Sequence, residues 1–116
     1  AKCTEHHIRD LTGSTATQLT PGVVFLFGTG YIDSPLHPRT IMWCINILNF
    51  TCMEFTNAGT VQPSTQYLHV AVRLDDSHLL VYGGTDDDTS EDLSDIWVLT
   101  FDSIGQCKGT WKILKP

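Results

Sequence analysis

The sequence predicts an all-β protein made of two similar four-stranded units. Short segments rich in β-branched, aromatic and aliphatic residues are separated by Gly, Pro, Asn, Asp and Ser, as in proteins built of short strands. No segment carries apolar residues at helical spacing. The pattern of the first half of the chain recurs about 55 positions later, and a fixed period of this length is typical of repeat architectures.

The internal repeat is clearest over the first two strands of each unit. Residues 15–19 align with 70–74, and 24–28 align with 79–83, at a constant offset of 55. Trp43 then aligns with Trp97 at an offset of 54, which removes one residue from a loop. Residues 52–55 align with 111–114 at an offset of 59, which adds five residues to the last hairpin of the second unit. Both changes of offset fall in predicted loops.

Each unit is predicted to contain four strands. They span residues 15–19, 23–27, 41–47 and 51–55 in the first unit, and 68–74, 78–82, 95–101 and 110–114 in the second. The continuous apolar runs at 23–27 and 79–82 indicate strands that neighbouring sheets cover on both faces. A chain of 116 residues is one domain of ordinary size, so we assign 1–116 to a single domain or fragment, with units at 14–59 and 60–116.

The second unit has the sequence features of a known repeat family. An apolar strand is followed by Gly83 and Gly84, then by Trp97 and finally by Trp111. This order resembles the kelch repeat, in which the glycines permit positive φ and close backbone approach and the late Trp fills space between adjacent blades. The resemblance implies an all-β fold of two four-stranded antiparallel blades of a kelch-type β-propeller. An unrelated antiparallel β domain with a Gly-Gly turn is the alternative.

The first unit departs from the kelch pattern. Gly28 is followed by Thr29 instead of a second glycine, and Cys52 stands where the closing Trp is expected, although Trp43 matches the later aromatic residue. The first blade is therefore inferred mainly from the repeat offset. A closed propeller needs about four to eight blades, so two blades require completion by other chain segments, by a partner or by symmetry.

The charge of the chain favours some partners over others. Seven Lys and Arg residues stand against thirteen Asp and Glu residues, and this net charge of −6 argues against nucleic-acid binding. No apolar run approaches the roughly 18 residues of a membrane span. Nine acidic residues lie between Arg73 and Lys108, where the chain has no Lys or Arg. This acidic region favours a partner protein with a basic surface.

Loops carry most binding functions, and the resemblance implies that partners bind where the second-to-third-strand loops and the connection between blades emerge. These loops correspond to residues 31–39, 85–94 and 56–67. The candidate binding residues are Tyr31, Asp33, His37, Arg39, Gln66, Tyr67, Asp86, Asp87, Asp88, Glu91 and Asp92. Alternating oxygen side chains from Asp86 onward faintly resemble a calcium loop, but Glu91 replaces the glycine required for its turn, so we expect a solvated acidic loop and no metal.

The four cysteines lack the paired C-x-x-C spacing of a zinc site. Cys44 and Cys52 flank a hairpin centred on Leu48, so a disulfide between them is geometrically conceivable, but two free thiols in the core are the preferred interpretation. Asn49 begins an Asn-Phe-Thr triplet, which is a candidate N-glycosylation site at the tip of the same hairpin. The compartment, cytoplasmic or secreted, stays open.

The sequence carries no pattern typical of a catalytic or cofactor site. It lacks a G-x-S-x-G elbow, a phosphate loop and a His grouping with ligand spacing, and His69 is expected to have a structural role beside its strand. We therefore expect a protein-interaction module or scaffold without catalytic residues or cofactors. The alternatives are a sugar-binding lectin formed as a homotrimeric six-bladed propeller, in which Trp side chains stack on sugars, and a scaffold segment of a kelch-containing enzyme.

Overall fold

The computed structural model describes residues 2–3, 14–30, 39–63, 66–67, 69–86 and 91–115. All regular structure in these residues is β-strand, which confirms the predicted all-β class. The strands in chain order are β1 (Thr15–Thr20), β2 (Val23–Gly30), β3 (Arg39–Asn46), β4 (Thr51–Glu54), β5 (Thr56–Asn57), β6 (Gln66–Tyr67), β7 (Val70–Arg73), β8 (His78–Tyr82), β9 (Thr85–Asp86), β10 (Ile96–Ser103) and β11 (Lys108–Lys115).

These strands form two large sheets and one short ribbon. The first sheet has the order β1-β2-β3-β4 and is antiparallel throughout. The second has the order β5-β11-β10-β8-β7, and its four long strands are antiparallel. Strand β5 leaves the first sheet and joins β11 in parallel, which covers one edge of the second sheet. Strands β6 and β9 form the ribbon. The eight strands predicted from the sequence are all present, with small differences at their ends.

The strand pairing reproduces the internal repeat. Val24 pairs with Ile45 in the first sheet, and Leu79 pairs with Leu99 at the equivalent position of the second. The offset is therefore 55 in the second strand and 54 in the third, as the sequence alignment requires. Ile45 also pairs with Cys52, and Leu99 with Trp111, which gives the offset of 59 in the fourth strand.

The core lies between the two sheets. Phe25 and Phe27 of β2 point toward the second sheet, where Phe101 and Trp111 are buried opposite them. The ring centroids of Phe25 and Phe101 are 5.4 Å apart, and those of Phe27 and Trp111 are 5.5 Å apart. Buried aromatic side chains of this size each contribute about 1.5–3 kcal/mol through the area that they remove from water. Only the inner face of each apolar strand is covered, so the predicted cover on both faces is wrong for the described residues: Tyr82 on the other face of β8 is 47% exposed.

The glycines at the end of β8 have the backbone conformation expected from the sequence. Gly83 and Gly84 have φ of +76° and +93°, a region that side chains with a Cβ rarely adopt. The chain there leaves the sheet, and the Gly84 carbonyl accepts a hydrogen bond of 2.8 Å from the Leu93 amide. The paired glycines therefore set the base of the acidic loop.

The turn between β7 and β8 is held by Asp75. Its Oδ1 accepts hydrogen bonds of 2.9 Å from the backbone amides of Ser77 and His78, and the His78 ring lies 2.8 Å away. The Ser77 amide, followed by the His78 side chain, lowers the pKa of Asp75 below its ordinary value. A negatively charged Asp75 thus fixes the turn at the end of the sheet opposite the acidic loop.

Candidate functional site

The predicted binding loops emerge at one end of the two sheets, which we call the loop end. The β2–β3 connection leaves β2 at Gly30, and the β8–β10 connection leaves β8 at Tyr82. The segment that joins the two sheets reaches the same end, because its strand β6 pairs with β9. Gln66 is opposite Asp86 in this ribbon, and Tyr67 is opposite Thr85. Two of the three predicted binding segments are therefore joined by backbone pairing.

The acidic loop folds back on its own base. Thr85 pairs with Asp92 in an isolated antiparallel bridge and with Tyr67 in the ribbon. It therefore connects the end of the acidic loop to the segment that joins the two sheets. Glu91 and Asp92 are exposed to solvent beside this bridge. Since both carboxylates lie near the ribbon, the loop end presents negative charge on a β framework.

The structure locates only some of the residues that the sequence proposed for binding. Glu91 and Asp92 are described in full, whereas the following are described by their backbones only: Arg39 in β3, Gln66 and Tyr67 in β6, and Asp86 in β9. The remaining candidates, Tyr31, Asp33, His37, Asp87 and Asp88, lie outside the described residues.

His69 lies directly beneath the loop end and is buried between the sheets. Its Nε2 is 2.7 Å from Thr15 Oγ1 in a hydrogen bond, and its ring lies 4.5 Å from that of Phe27. Burial lowers the pKa of His69 from 6.5 to about 4, so the ring is neutral at physiological pH. The expected structural role of His69 is confirmed, because it joins β1 to the start of the second sheet.

The predicted cysteine chemistry is wrong on both counts. The structure contains disulfides between Cys3 and Cys52 and between Cys44 and Cys107, with Cα–Cα distances of 4.9 and 5.8 Å. The proposed pair of Cys44 and Cys52 does not form, and none of the four cysteines is a free thiol. The Cys44–Cys107 bond joins the two sheets inside the core.

The register of one hairpin explains the error. Residues 47–50 form a four-residue turn, so Cys44 pairs with Met53 and Cys52 pairs with Ile45. A displacement of one residue along a strand moves a side chain to the other face of the sheet. Cys44 therefore faces the second sheet, whereas Cys52 faces outward, toward Cys3. Cys107 lies in the hairpin that is longer in the second unit, so the repeat offered no counterpart that would have indicated its role.

The three tryptophans differ in their surroundings. Trp111 is 2% exposed and packs against Phe27 of the other sheet, Phe55 and Trp97. It fills the space between the two sheets. Trp97 is partly buried against the same core, and Trp43 lies half-buried on the outer face of the first sheet. A buried Trp111 has no free face on which a sugar ring can stack.

Asn49 lies in the exposed β3–β4 turn, at the end of the sheets opposite the loop end. Thr51 Oγ1 donates a hydrogen bond of 2.7 Å to Asn49 Oδ1, and Lys2 Nζ donates one of 2.8 Å to the Asn49 carbonyl. The Asn-Phe-Thr triplet is thus held in a turn that solvent reaches.

Neither the described structure nor comparison with known proteins assigns a site or a family to the chain. The described residues contain no helix long and apolar enough to cross a membrane, and no cluster of three His, Cys, Asp or Glu side chains suited to a metal ion. The sequence matches no protein-family model, and no curated protein sequence matches it.

Proposed function

We propose that this chain is a protein-binding module made of two kelch-type propeller blades, and that its loop end binds a partner with a basic surface. The observation that carries the proposal is the β6–β9 ribbon, which ties the segment between the sheets to the acidic loop. A binding surface benefits from such a framework, since loops held on rigid elements lose less conformational entropy when a partner binds.

The charge distribution supports a basic partner. Glu91 and Asp92 are exposed at the loop end, and the sequence contains no Lys or Arg from residue 74 to residue 107. Exposed carboxylates gathered in one segment accelerate the approach of a basic surface and orient it.

The cysteine pairing supports a secreted or other oxidising location for this module. Two disulfides include all four cysteines, and such bonds persist outside the reducing cytosol. The basic partner is therefore to be sought among extracellular proteins or the exposed parts of cell-surface proteins.

Binding of the oxidised chain to an array of extracellular protein domains, followed by interferometry of the hits, tests this function. The test variant changes Asp86, Asp87, Asp88, Glu91 and Asp92 to their amides. We expect binding to basic domains that weakens at high salt and falls about tenfold or more in the variant.

A control variant with Asp76→Asn and Asp102→Asn removes two exposed carboxylates at the opposite end of the sheets, and we expect it to bind like the wild type. Equal binding by the five-amide variant would contradict the proposed surface.

A glycan array tests the lectin alternative separately. We rank this alternative second because the burial of Trp111 removes one of its three candidate stacking rings.

A further inference from the structure

The internal repeat defines two equivalent faces on the sheets. In the first sheet, Phe25 and Phe27 lie on one face, which we call the front, and Val24 and Leu26 lie on the other, which we call the back. At the offset of 55, the front of the second sheet carries Leu80 and Tyr82, and its back carries Leu79 and Val81.

The two sheets pack front to back. Phe25 and Phe27 are buried from the front of the first sheet, whereas Leu79 and Val81 are buried from the back of the second. The interface is therefore heterologous, since it joins two different faces of equivalent units. Within the described residues, a contact of this kind leaves one front and one back on which no other sheet packs, and it can repeat with further units.

The unused front of the second sheet is apolar on β7, β8 and β10, and it carries the exposed Lys112 on β11. It carries Val70 and Val72 on β7, Leu80 and Tyr82 on β8, and Ile96 and Val98 on β10. Tyr82 is 47% exposed, although Phe27 at the equivalent position of the first sheet is 0% exposed. Val70 and Val72 are exposed as well. Exposed apolar side chains grouped on one face of a sheet mark an interaction surface.

The unused back of the first sheet also exposes an apolar side chain whose equivalent in the second sheet is buried. Ile47 aligns with Phe101 at the offset of 54, and Phe101 contacts the Phe25 ring inside the chain. Ile47 is nevertheless 59% exposed, whereas Phe101 is 6% exposed. Val24, Leu26, Trp43 and Ile45 lie on the same face and are partly exposed, and the Cys3–Cys52 disulfide lies beside them.

We infer that the front of the second sheet binds the back of the first sheet of a second copy of this chain. The contact repeats the packing already present between the two sheets, with Leu80 and Tyr82 of one copy taking the positions of Phe25 and Phe27. Ile47 of the second copy takes the position of Phe101. Because the contact is head-to-tail, successive copies extend until the rotation closes a ring.

Two blocked variants and their mixture test this contact by light scattering coupled to gel filtration. Tyr82→Glu blocks the front, and Ile47→Lys blocks the back. We expect the wild type to be larger than the 12.9 kDa monomer, near 39 kDa for a ring of three copies, and each variant alone to be monomeric. Mixing the two variants leaves one intact front and one intact back, so we expect a one-to-one dimer near 26 kDa, twice the monomer mass.

Several results would overturn the inference. These are a wild type that stays monomeric up to about 200 μM, a mixture that fails to form the dimer, or an Ile47→Lys variant that associates alone, as a front-to-front contact would permit. Val72→Glu repeats the front test if Tyr82→Glu does not fold, as judged by circular dichroism. Val61→Glu introduces the same charge at an exposed residue outside both faces, and we expect it to associate like the wild type.

The experiments distinguish a failure of this proposed contact from a failure of the proposed loop-end function. The five-amide variant of the acidic loop is expected to keep the wild-type mass, and Ile47→Lys is expected to keep binding to a basic partner.

Discussion

Cys44 of the first sheet is bonded to Cys107 of the second, 63 residues later in the chain. Both side chains are buried in the core, so the bond fixes the contact between the sheets from inside. The bond between Cys3 and Cys52 lies on the outer face of the first sheet and attaches the start of the chain there.

Peptide mapping of the oxidised chain checks this connectivity. Trypsin leaves Cys44 and Cys52 in one peptide, so chymotrypsin is added to cut after Phe50 between them. We expect the peptide with Cys44 to be linked to that with Cys107, and the peptide with Cys52 to that with Cys3. A Cys44–Cys52 link would contradict the hairpin register.

Removal of the bond between the sheets is expected to destabilise the fold. Changing Cys44 and Cys107 to Ala opens a loop of 63 residues, which lowers the free energy of unfolding by about 3–4 kcal/mol through the entropy of the unfolded chain. Urea unfolding of the oxidised variant and the wild type measures the difference. A loss below about 1 kcal/mol would show that the bond adds little to the packing between the sheets.

Stability is expected to fall with pH because of His69. The folded pKa is about 4 and the ordinary value is 6.5, so the unfolded chain binds a proton over this range that the folded chain does not. The free energy of unfolding should therefore decrease as the pH falls from 6.5 toward 4, by up to about 1 kcal/mol per pH unit.

The variant His69→Gln keeps a polar partner for Thr15 and lacks the titrating ring. Urea unfolding at several pH values should give a shallower decline for this variant below pH 6.5. Above about pH 7.5 the ring is neutral in both states, so the two proteins should show the same pH dependence there. If the free energy of unfolding of the two proteins fell with the same slope below pH 6.5, His69 would be excluded as the source of the pH dependence.

Replacement of Gly109 by any residue with a Cβ is expected to destabilise the fold. A Cβ at this position would overlap the Thr100 carbonyl oxygen and lie 3.1 Å from the Phe101 Cα. Gly109→Ala should lower the free energy of unfolding by about 2 kcal/mol or more, because backbone atoms of β10 must move. Gly105→Ala is the matched control in the same hairpin, where the nearest heavy atom would be 4.0 Å away, and it should change stability by less than about 0.5 kcal/mol.

Asn49 is expected to carry a glycan when the chain is secreted from mammalian cells. Its side chain is held by Thr51 in an exposed turn, and the disulfides fit a secretory route. Intact mass before and after amidase treatment measures the modification. Thr51→Ser should keep the glycan and Thr51→Ala should lose it, while an unmodified wild type would contradict the prediction.

The sequence predicted the eight main strands because their signals are local. The apolar runs at 23–27 and 79–82 lie between turn residues, and those signals do not depend on distant parts of the chain. The repeat offsets were also readable, since equivalent units conserve spacing. The kelch resemblance and the binding role remain proposals, supported by the buried Trp111 and by positive φ at Gly83 and Gly84.

Short strands were harder to foresee. Strands β5, β6 and β9 have two residues each, and such pairs form only because a distant strand or segment offers backbone partners. The ribbon between Tyr67 and Thr85, on which the candidate site rests, is therefore a product of tertiary contacts.

By itself, the sequence determined where the chain extends, where it turns and where its pattern repeats, because those properties follow from the conformational preferences of neighbouring residues. Only the tertiary structure decided that Cys44 bonds to Cys107 and that the front of one sheet covers the back of the next. Both depend on which face each side chain occupies, and a single residue in the length of the β3–β4 turn exchanges the faces.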